Sequence, residues 1–306
     1  MIIAIDHGNR LMKGANFEPF ISGLVESAVK PFGANVLKYK GKYYQLSDQR
    51  IPYRRDKTED ERFFVLSLFG MVREIETRGA FRPGTIRVQL AIGLPPAHYG
   101  AQYKAFSRYF SGRGPVSFSY NGKPYSILID DVACFPQAYA AAVTILPAIS
   151  AAPQALILDW GGLTVDYLRV KNGEGDLTVC DSLESGVILL YNKVEAKVRA
   201  MRDLLLSETE IDAILDGRTP EELETVRPLV EDCARDFVSD TLSALRERQL
   251  ELRSGPVVFT GGGSLLLRKQ IEASGKVARP IFVEDIRANA RGFEMLYRIS
   301  HGERHG

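Results

Sequence analysis

Two short apolar segments, one near the start of each half of the chain, end in the same way. Residues 2–6 (IIAID) precede a His-Gly pair, and residues 155–159 (ALILD) precede Trp-Gly-Gly. Aliphatic and β-branched runs of this length, bounded by glycine, predict buried strands followed by tight turns. The repeated order of strand, acid and glycine indicates an internal duplication. The chain is therefore predicted to contain two similar α/β halves.

Composition agrees with a globular protein of about two domains. The chain has 306 residues, of which 45% are hydrophobic and 25% are charged, and this excludes a wholly disordered chain. The net charge of +1 gives no support to binding of nucleic acid by the whole surface. The three cysteines have no spacing typical of disulfide frameworks or zinc sites, so a reducing cytoplasm is predicted.

One uncharged stretch, between Asp131 and Asp159, is long enough to cross a bilayer. Three prolines and two glutamines interrupt it, so a buried helix followed by a buried strand is predicted instead. The N-terminus has no basic segment followed by a long apolar one and does not resemble a signal peptide. No direct contact with a membrane is expected.

Periodicity and turn signals predict the other elements. Hairpins are expected within 36–46 and around Asn121-Gly122, and strands at 85–92 and 257–260. Helices are expected at 58–78, 98–110, 137–146, 183–205 and 207–250, and from about 290 to 301, followed by a frayed tail at 302–306. The aromatic stripe within 98–110 is interpreted as core packing.

Glycine turns follow three predicted strands: the two of the repeated pattern and the strand before Gly261-Gly262-Gly263. Glycine lets backbone amides approach an anion closely, although a lone turn of this kind is more often structural. Asp6 and Asp159 cannot lie directly against phosphate, but they fit a hydrated Mg²⁺ between acid and phosphate. Neither a P-loop signature nor a GxGxxG fingerprint is present.

These turns, in their order along the chain, resemble the motifs of the actin/Hsp70/sugar-kinase ATPase superfamily. The corresponding segments are 5–13 (first phosphate loop), 135–138 (first connecting helix), 158–166 (second phosphate loop), 259–263 (adenosine motif) and 288–293 (second connecting helix). Three further segments, 90–96, 185–193 and the Asn-Ala-Arg-Gly-Phe run, are similar to ParM-type bacterial actins that segregate plasmids.

The resemblance implies an actin-like (ribonuclease H-like) two-lobed ATPase fold. Duplicated mixed sheets flanked by helices would enclose a nucleotide cleft between the lobes. Lobe I would span 1–150, with a subdomain IB at about 33–84, and a C-terminal helix at about 285–306 would return to it. Lobe II would span 151–284, with a helical subdomain IIB at about 200–252.

The resemblance also implies roles for individual residues. Asp6 and Asp159 would orient Mg²⁺ through water, and Gln137 would position the attacking water, since an amide does not titrate and cannot be a base. Asp166 would bond the loop backbone or help to position that water. Contacts with ATP or ADP would come from Gly8, Asn9, Arg10, Lys13, Gly161, Gly162, Leu163, Thr164, Gly186, Lys193, Gly261, Gly262 and Gly263. Lys193 is equally compatible with a solvated helix face.

Several positions depart from the superfamily pattern. Asn9, Arg10 and Leu11 replace small hydroxyl residues, and Trp160 makes the second loop bulkier. Gln137 stands where many plasmid-type members carry an acid. Nucleotide binding is still expected, while the rate of hydrolysis is left open.

The resemblance implies a cytoplasmic, filament-forming ATPase that segregates plasmid DNA. ATP-Mg would close the lobes and promote polymerisation, and hydrolysis would destabilise the filament; GTP remains an alternative substrate. The partners would be further copies of the chain and an adaptor protein bound to a centromere-like DNA site. The alternatives are a small-molecule kinase with Asp130 or Asp131 as base, a cell-shape or division actin, and a chaperone-like ATPase.

Overall fold

A computed structural model describes residues 1–302 and contains two compact units. One unit comprises residues 1–144 and a segment that begins at Arg287, and the other comprises residues 145–286. Residues 303–306, within the tail predicted to be frayed and within the predicted returning helix, lie outside the described residues.

The described residues form fourteen strands and ten α-helices. The strands are β1 (Ile2–His7), β2 (Leu11–Gly14), β3 (Phe20–Ile21), β4 (Leu24–Ser27), β5 (Val36–Tyr39), β6 (Lys42–Leu46), β7 (Thr85–Leu94), β8 (Val116–Tyr120), β9 (Lys123–Pro136), β10 (Gln154–Trp160), β11 (Val165–Lys171), β12 (Glu174–Leu183), β13 (Pro256–Thr260) and β14 (Arg279–Phe282). The helices are α1 (Glu61–Thr77), α2 (Pro96–Phe110), α3 (Tyr139–Val143), α4 (Leu146–Ile149), α5 (Val187–Arg202), α6 (Glu208–Leu215), α7 (Arg227–Glu247), α8 (Gly262–Leu266), α9 (Arg268–Ala273) and α10 (Ala288–Ser300). Short 3-10 turns cover Lys57–Glu59 and Glu221–Leu223.

A nine-stranded mixed sheet, in the order β3-β2-β1-β7-β9-β8-β5-β6-β4, forms the centre of the first unit. Strand β7 pairs in parallel with both β1 and β9, whereas the outer strands pair antiparallel. The hairpin predicted at Asn121-Gly122 joins β8 to β9, and both turn residues have positive φ, at 49° and 82°. The predicted 36–46 hairpin, β5–β6, continues the same sheet as β1.

Helices α1, α2 and α10 pack against this sheet because each has an apolar face. Asp60 caps α1 by accepting a hydrogen bond from the backbone amide of Arg62 at 3.0 Å. Phe106 and Phe110, in the aromatic stripe of α2, are buried in the core. Phe293 of α10 is fully buried in a small cluster with β1, β7 and α3.

The helix predicted over 137–146 is wrong in its bounds. Strand β9 continues to Pro136, α3 covers only five residues, and α4 begins at Leu146. Prolines at 136 and 147 and a positive φ of 61° at Ala138 explain the interruption, since neither continues a helix. Among residues 1–302, no helix is long and apolar enough to cross a membrane.

The second unit has a five-stranded sheet in the order β12-β11-β10-β13-β14. Strands β10, β13 and β14 are parallel, and β11 and β12 are antiparallel to their neighbours. The helix predicted over 207–250 is divided in two. Helix α6 begins at a capping box between Ser207 and Glu210, and α7 begins at Arg227; Pro220 lies in the interruption, and Pro228 lies in the first turn of α7.

The duplication predicted from the sequence is visible in the strand pairing. The strand that ends near Asp6 pairs antiparallel with the next strand and parallel with a later one, β7. The strand that ends near Asp159 does the same with β11 and β13. Each acid therefore lies at the end of the corresponding strand of its own unit.

Candidate functional site

The turn after β1 is held tightly by its own unit. A Cβ atom at Gly8 would collide with the carbonyl oxygen of Leu11, so only glycine fits without a shift. The Ser22 hydroxyl donates to the Gly8 carbonyl at 2.6 Å, and the Ser22 amide donates to the Arg10 carbonyl at 2.9 Å. Two carbonyl groups of the turn are thus bound by Ser22, which fixes the backbone over the predicted phosphate-binding residues 8–10. Asn9 and Arg10 lie in this turn and are partly exposed.

His7, at the start of this turn, is a buried neutral residue. Its Nε2 lies 2.7 Å from the Ser67 hydroxyl, and its ring contacts Phe106 and Phe110. The amino group of Lys57, itself largely buried, donates to the His7 carbonyl. Burial first, and the neighbouring Lys57 ammonium next, lower the pKa of His7 to about 3. The imidazole is therefore uncharged near neutral pH.

Three predicted site residues, Asp6, Lys13 and Gln137, come together at the end of β1. Asp6 is 1% exposed, and the antiparallel register of β1 and β2 brings Lys13 opposite it. Lys13 Nζ lies 3.1 Å from Asp6 Oδ2, and Gln137 Nε2 donates to Asp6 Oδ1 at 2.7 Å. The buried carboxylate therefore has a cation on one oxygen and an amide on the other, as a buried charge requires.

The second glycine turn joins β10 to β11 and rests on the start of α5. The Gly161 amide donates to the Thr164 carbonyl at 2.9 Å and closes the turn. The carbonyls of Gly162 and Leu163 accept from the amides of Ile188, at 2.8 Å, and Gly186, at 2.9 Å. The carbonyl groups of the turn are thus bound by the first residues of the helix.

Gly186 has a structural reason to be glycine. A Cβ atom at this position would collide with the backbone of Gly162 and Leu163. Its own amide is already bonded to the Leu163 carbonyl, so Gly186 supports the turn from below. Its predicted contact with the nucleotide stays a prediction.

A polar row crosses the second sheet at the level of Asp159. Four polar residues on adjacent strands are register partners: Thr260, Asp159, Asp166 and Ser182. The first three are buried. The Ser182 hydroxyl donates to Asp166 Oδ1 at 2.5 Å. Register partners have side chains on the same face of a sheet, so this row combines two buried acids with two hydroxyl groups.

Trp160 does not obstruct the second turn. Its side chain is fully buried, its Nε1 donates to the Ser185 carbonyl at 2.9 Å, and its ring lies beside Phe237. Since successive side chains of a strand alternate between faces, Trp160 points to the opposite face from Asp159. The large Trp160 side chain, which departs from the superfamily pattern, therefore packs in the core of the second unit.

The third turn, Gly261-Gly262-Gly263, lies directly beside Asp159. Gly261 has a φ of 86°, and a Cβ there would collide with the Asp159 carboxylate. A Cβ at Gly263 would lie 2.7 Å from the Trp160 carbonyl oxygen. Gly262 differs, because within the described residues no atom beyond its chain neighbours and the backbone of its own helix lies within 4 Å of the position of its Cβ. Two of the glycines are therefore needed by the fold, and the third borders open space.

Within the described residues, no hydrogen bond or ion pair joins the Lys193 side chain to any of the three glycine turns. It is exposed on α5, with its amino group 5.5 Å from the centre of the Phe237 ring. This agrees with the alternative of a solvated helix face.

Known families match both parts of the chain. Residues 4–139 match the family described as the N-terminal domain of actin-like proteins, and residues 157–273 match the C-terminal domain of archaeal MreB-like actin homologues. The chain belongs to the actin-like superfamily. The predicted actin-like fold, with two mixed sheets flanked by helices, is confirmed.

Solved structures of actin-like proteins resemble this chain over almost its whole length. An archaeal actin homologue in complex with ADP has a TM-score of 0.71 at 16% identity and covers 98% of this chain and 99% of its own. ParM of Bacillus thuringiensis with AMPPNP has a TM-score of 0.69 at 12% identity and covers 98% of each chain. A 15-stranded ParM filament from Clostridium botulinum has a TM-score of 0.73 at 17% identity, with 97% and 99% coverage. No curated protein sequence matches the actin-like chain.

The acids of this actin-like protein fit a hydrated cation better than a directly bound one. Within residues 1–302, no three His, Cys, Asp or Glu side chains form a group that could ligate a metal. Asp6 already contacts Lys13 and Gln137. Mg²⁺ usually keeps several waters, so contact through water is the mode that these residues allow.

Ser22, Lys57 and Asn289 are site residues that sequence reasoning missed. The side chains of Ser22 and Lys57 bond to backbone carbonyls of the turn after β1, and the side chain of Asn289 accepts from the Ala138 amide, next to Gln137. Lys57 follows two arginines and an aspartate, a pattern that is typical of an exposed loop. Asn289 lies within the motif that was noted for resemblance alone, and the sequence contains no signal for its contact.

Proposed function

We propose that this chain is a nucleotide-dependent, filament-forming ATPase of the ParM type. The observation that carries the proposal is the contact of Gln137 with the buried Asp6 at 2.7 Å, beside a glycine turn whose carbonyls are held by Ser22 and Lys57. The corresponding Asp159 lies beside two further glycine turns in the second unit. Each set of turns is proposed to contribute backbone amides to nucleotide binding.

The glycine turns would bind phosphate through backbone amides. In residues 7–10, Lys57 and Ser22 occupy carbonyl oxygens, and in residues 161–163 the start of α5 does the same. With these carbonyls engaged inside the protein, the amides of Gly8, Asn9, Gly162 and Leu163 are proposed to donate to an anion. Arg10, which is partly exposed, would add a positive charge close to the bound phosphates. The open space beside Gly262 would receive the nucleoside.

Gln137 would orient the attacking water. Its Nε2 is fixed on Asp6, which leaves Oε1 to accept a hydrogen bond from water. Fixing one end of the amide lowers the entropy lost when the water is aligned with the γ-phosphate. Bound Mg²⁺ would supply the neutralisation of phosphate charge that phosphoryl transfer needs. Asp6 and Asp159 would hold its water ligands.

The alternative of a small-molecule kinase is disfavoured by its own candidate bases. Asp130 Oδ2 lies 2.7 Å from Arg87, and Asp131 Oδ2 accepts from the Tyr297 hydroxyl at 2.6 Å. Both acids are on β9 about four residues before the level of Asp6, or about 13 Å along the strand. Neither therefore lies at the site where phosphoryl transfer would take place.

Polymerisation is the property that separates this proposal from other ATPases of the same fold. Purified protein is to be examined by light scattering and pelleting with Mg-ATP, Mg-GTP, Mg-ADP or no nucleotide, while phosphate release is followed in parallel. Scattering that rises with a triphosphate and decays as phosphate appears is the expected result. A flat trace with every nucleotide would overturn the proposal of a filament.

Asp159→Ala provides the matched variant for these assays. Asp159 is buried beside Gly261, and the substitution is smaller than the native side chain. We expect the variant to fold but to release no phosphate, because the water ligands of Mg²⁺ lose one of their two acids. Phosphate release at the wild-type rate would contradict the role of Asp159.

A role in plasmid segregation, with an adaptor on a centromere-like DNA site, is the finer part of the proposal. The similarity to ParM structures supports it, and the MreB-like family of the second half favours a second candidate, a cell-shape or division filament. Disrupting the gene distinguishes the two. Faster loss of the replicon that carries the gene is expected for segregation, and altered cell shape with normal replicon inheritance for the alternative.

A further inference from the structure

Gln137 is followed by a strained turn. Ala138 has φ 61° and ψ −52°, and the Tyr139 amide donates to the Gln137 carbonyl at 2.7 Å. This is a three-residue γ-turn with a positive φ at its centre, a conformation that is rare for residues with a Cβ atom. Such a conformation persists only where the surrounding structure holds it.

Helix α10 supplies the contact that holds the turn. Asn289 is 5% exposed, and its Oδ1 accepts a hydrogen bond from the Ala138 amide at 3.1 Å. The nitrogen of this amide is one end of the N–Cα bond whose rotation is the positive φ of Ala138. On the N-terminal side, the Gln137 amide donates to the Leu94 carbonyl at 2.8 Å. The turn is therefore bound on both sides of Gln137, once by strand β7 and once by Asn289.

The same face of α10 is packed closely against the segment that follows the turn. A Cβ atom at Gly292 would collide with the Ala140 carbonyl, and the Phe293 ring occupies the space that a Cβ at Gly93 would need. Asn289, Gly292 and Phe293 are spaced by three and four residues and so lie on one face of the helix. Close packing leaves the Asn289 side chain little freedom to leave Ala138.

We propose that Asn289 is a positioning residue, which holds the turn at Ala138 and thereby keeps the Gln137 amide on Asp6. Without the Asn289 oxygen, the buried Ala138 amide loses its acceptor and the turn can relax to negative φ. Relaxation would rotate the peptide that carries Gln137 and break the 2.7 Å contact with Asp6. The effect on hydrolysis rests on the proposed function, whereas the effect on the turn does not.

A double-mutant cycle separates positioning from general stabilisation. Asn289→Ala is expected to lower kcat for phosphate release by about 10- to 100-fold, with KM for ATP and affinity for ADP changed by less than about twofold. In a Gln137→Ala background, Asn289→Ala is expected to cause no further loss of kcat, because it acts through Gln137. Equal losses in both backgrounds, or no loss in the wild-type background, would overturn the proposal.

Tyr297→Phe is the matched control on the same helix. It removes the hydrogen bond to Asp131, which lies on β9 before the turn, and leaves Asn289 in place. Its kcat is expected to equal that of the wild type, even where its thermal midpoint falls as much as that of Asn289→Ala. A parallel loss of kcat in Tyr297→Phe would show that the Asn289 effect is only a loss of helix packing.

A second measurement tests the turn without nucleotide. The side-chain amide of Gln137 gives an NMR signal, which is assigned by its absence in Gln137→Ala. Because it is bonded to a buried carboxylate, its protons are expected to exchange slowly in the wild type and in Tyr297→Phe, and fast in Asn289→Ala. Slow exchange in Asn289→Ala would overturn the inference. If the three proteins show the expected exchange rates but the wild type hydrolyses no nucleotide, the proposed function is refuted and the inference about the turn is not.

Discussion

At the scale of single residues, the site combines charges and glycines that have separable tasks. Asp6 is a buried acid with a cation and an amide as partners, and His7 beside it is a buried base kept uncharged. Gly261 and Gly263 are required by the packing of the turn, and Gly262 is not. Substitution of His7 is therefore expected to change the pH dependence of stability, and substitution of Gly262 is expected to change the affinity for ATP.

His7 makes stability depend on pH. Its pKa is about 3 in the folded chain, against an ordinary value of 6.5, so the unfolded chain binds the proton more readily. The stabilisation is therefore fully present above pH 6.5 and is lost as the pH falls toward 3. At pH 5 the loss is about 2 kcal/mol. Urea unfolding at pH 7.5 and pH 5 is expected to differ less for His7→Gln, which does not titrate, than for the wild type.

Equal pH dependence in the wild type and in His7→Gln would contradict this account. Both variants contain the same carboxylates, so the difference between their pH profiles isolates the imidazole. The amide of Gln can still bond to the Ser67 hydroxyl, which keeps the comparison close.

Gly262→Val tests the nucleoside space. The substitution fills the region beside Gly262, where a Cβ would meet nothing within 4 Å beyond its chain neighbours and the backbone of its own helix, so the fold is expected to tolerate it. Affinity for ATP is expected to fall at least about tenfold, since the added side chain occupies the volume of the ligand. Gly100→Val, at another helical glycine with open space, is the control and is expected to bind ATP normally. Unchanged ATP affinity in a folded Gly262→Val would remove the nucleoside from this position.

At the scale of elements, each glycine turn depends on the element packed behind it. The turn at 161–164 rests on the first residues of α5, and the turn after β1 is held by Ser22 and Lys57. The predicted binding residues are therefore only as well ordered as these supports. Substitutions in a support are expected to alter nucleotide binding without any contact with the nucleotide.

Gly186→Ala tests the support of the second turn. The added Cβ atom would meet the backbone of Gly162 and Leu163, and backbone cannot move aside cheaply. We expect the turn and the start of α5 to separate, with weaker ATP binding and a stability loss of about 1–3 kcal/mol. Fluorescent nucleotide titration and urea unfolding measure the two effects. Wild-type values in both would show that the contact is not tight.

The sequence predicted the strands and the β8–β9 hairpin better than it predicted the contacts that hold the site residues in place. The strand, acid and glycine pattern predicted β1 and β10, and Asn-Gly predicted the β8–β9 hairpin, because these signals are local. The contact of Gln137 with Asp6 was not predicted, since it joins residues 131 positions apart. The turn at Ala138 gave no signal either, because alanine normally favours a helix and the contact with Asn289 joins residues 151 positions apart.

At the scale of the whole molecule, α10 completes the core of the first unit, although it lies far from the rest of that unit in the sequence. Residues 1–144 contribute the sheet, and α10 contributes Phe293 and Tyr297, which are 0% and 1% exposed. The second unit has its own sheet and its own core and contains no residue of this helix. Damage to α10 should therefore weaken one unit before the other.

Phe293→Ala tests this dependence. Removing a fully buried aromatic ring is expected to cost about 3–5 kcal/mol, and the ring also fills the space beside Gly93. Hydrogen exchange followed by mass spectrometry should show faster exchange in peptides of β1, β7 and α3, with β10 and β13 unchanged. Ile299→Ala, on the same helix but 61% exposed, is the control and is expected to leave both sets unchanged. Faster exchange spread equally over both units in Phe293→Ala would mean that they unfold as one, because the loss of a contact confined to the first unit would then have reached the second.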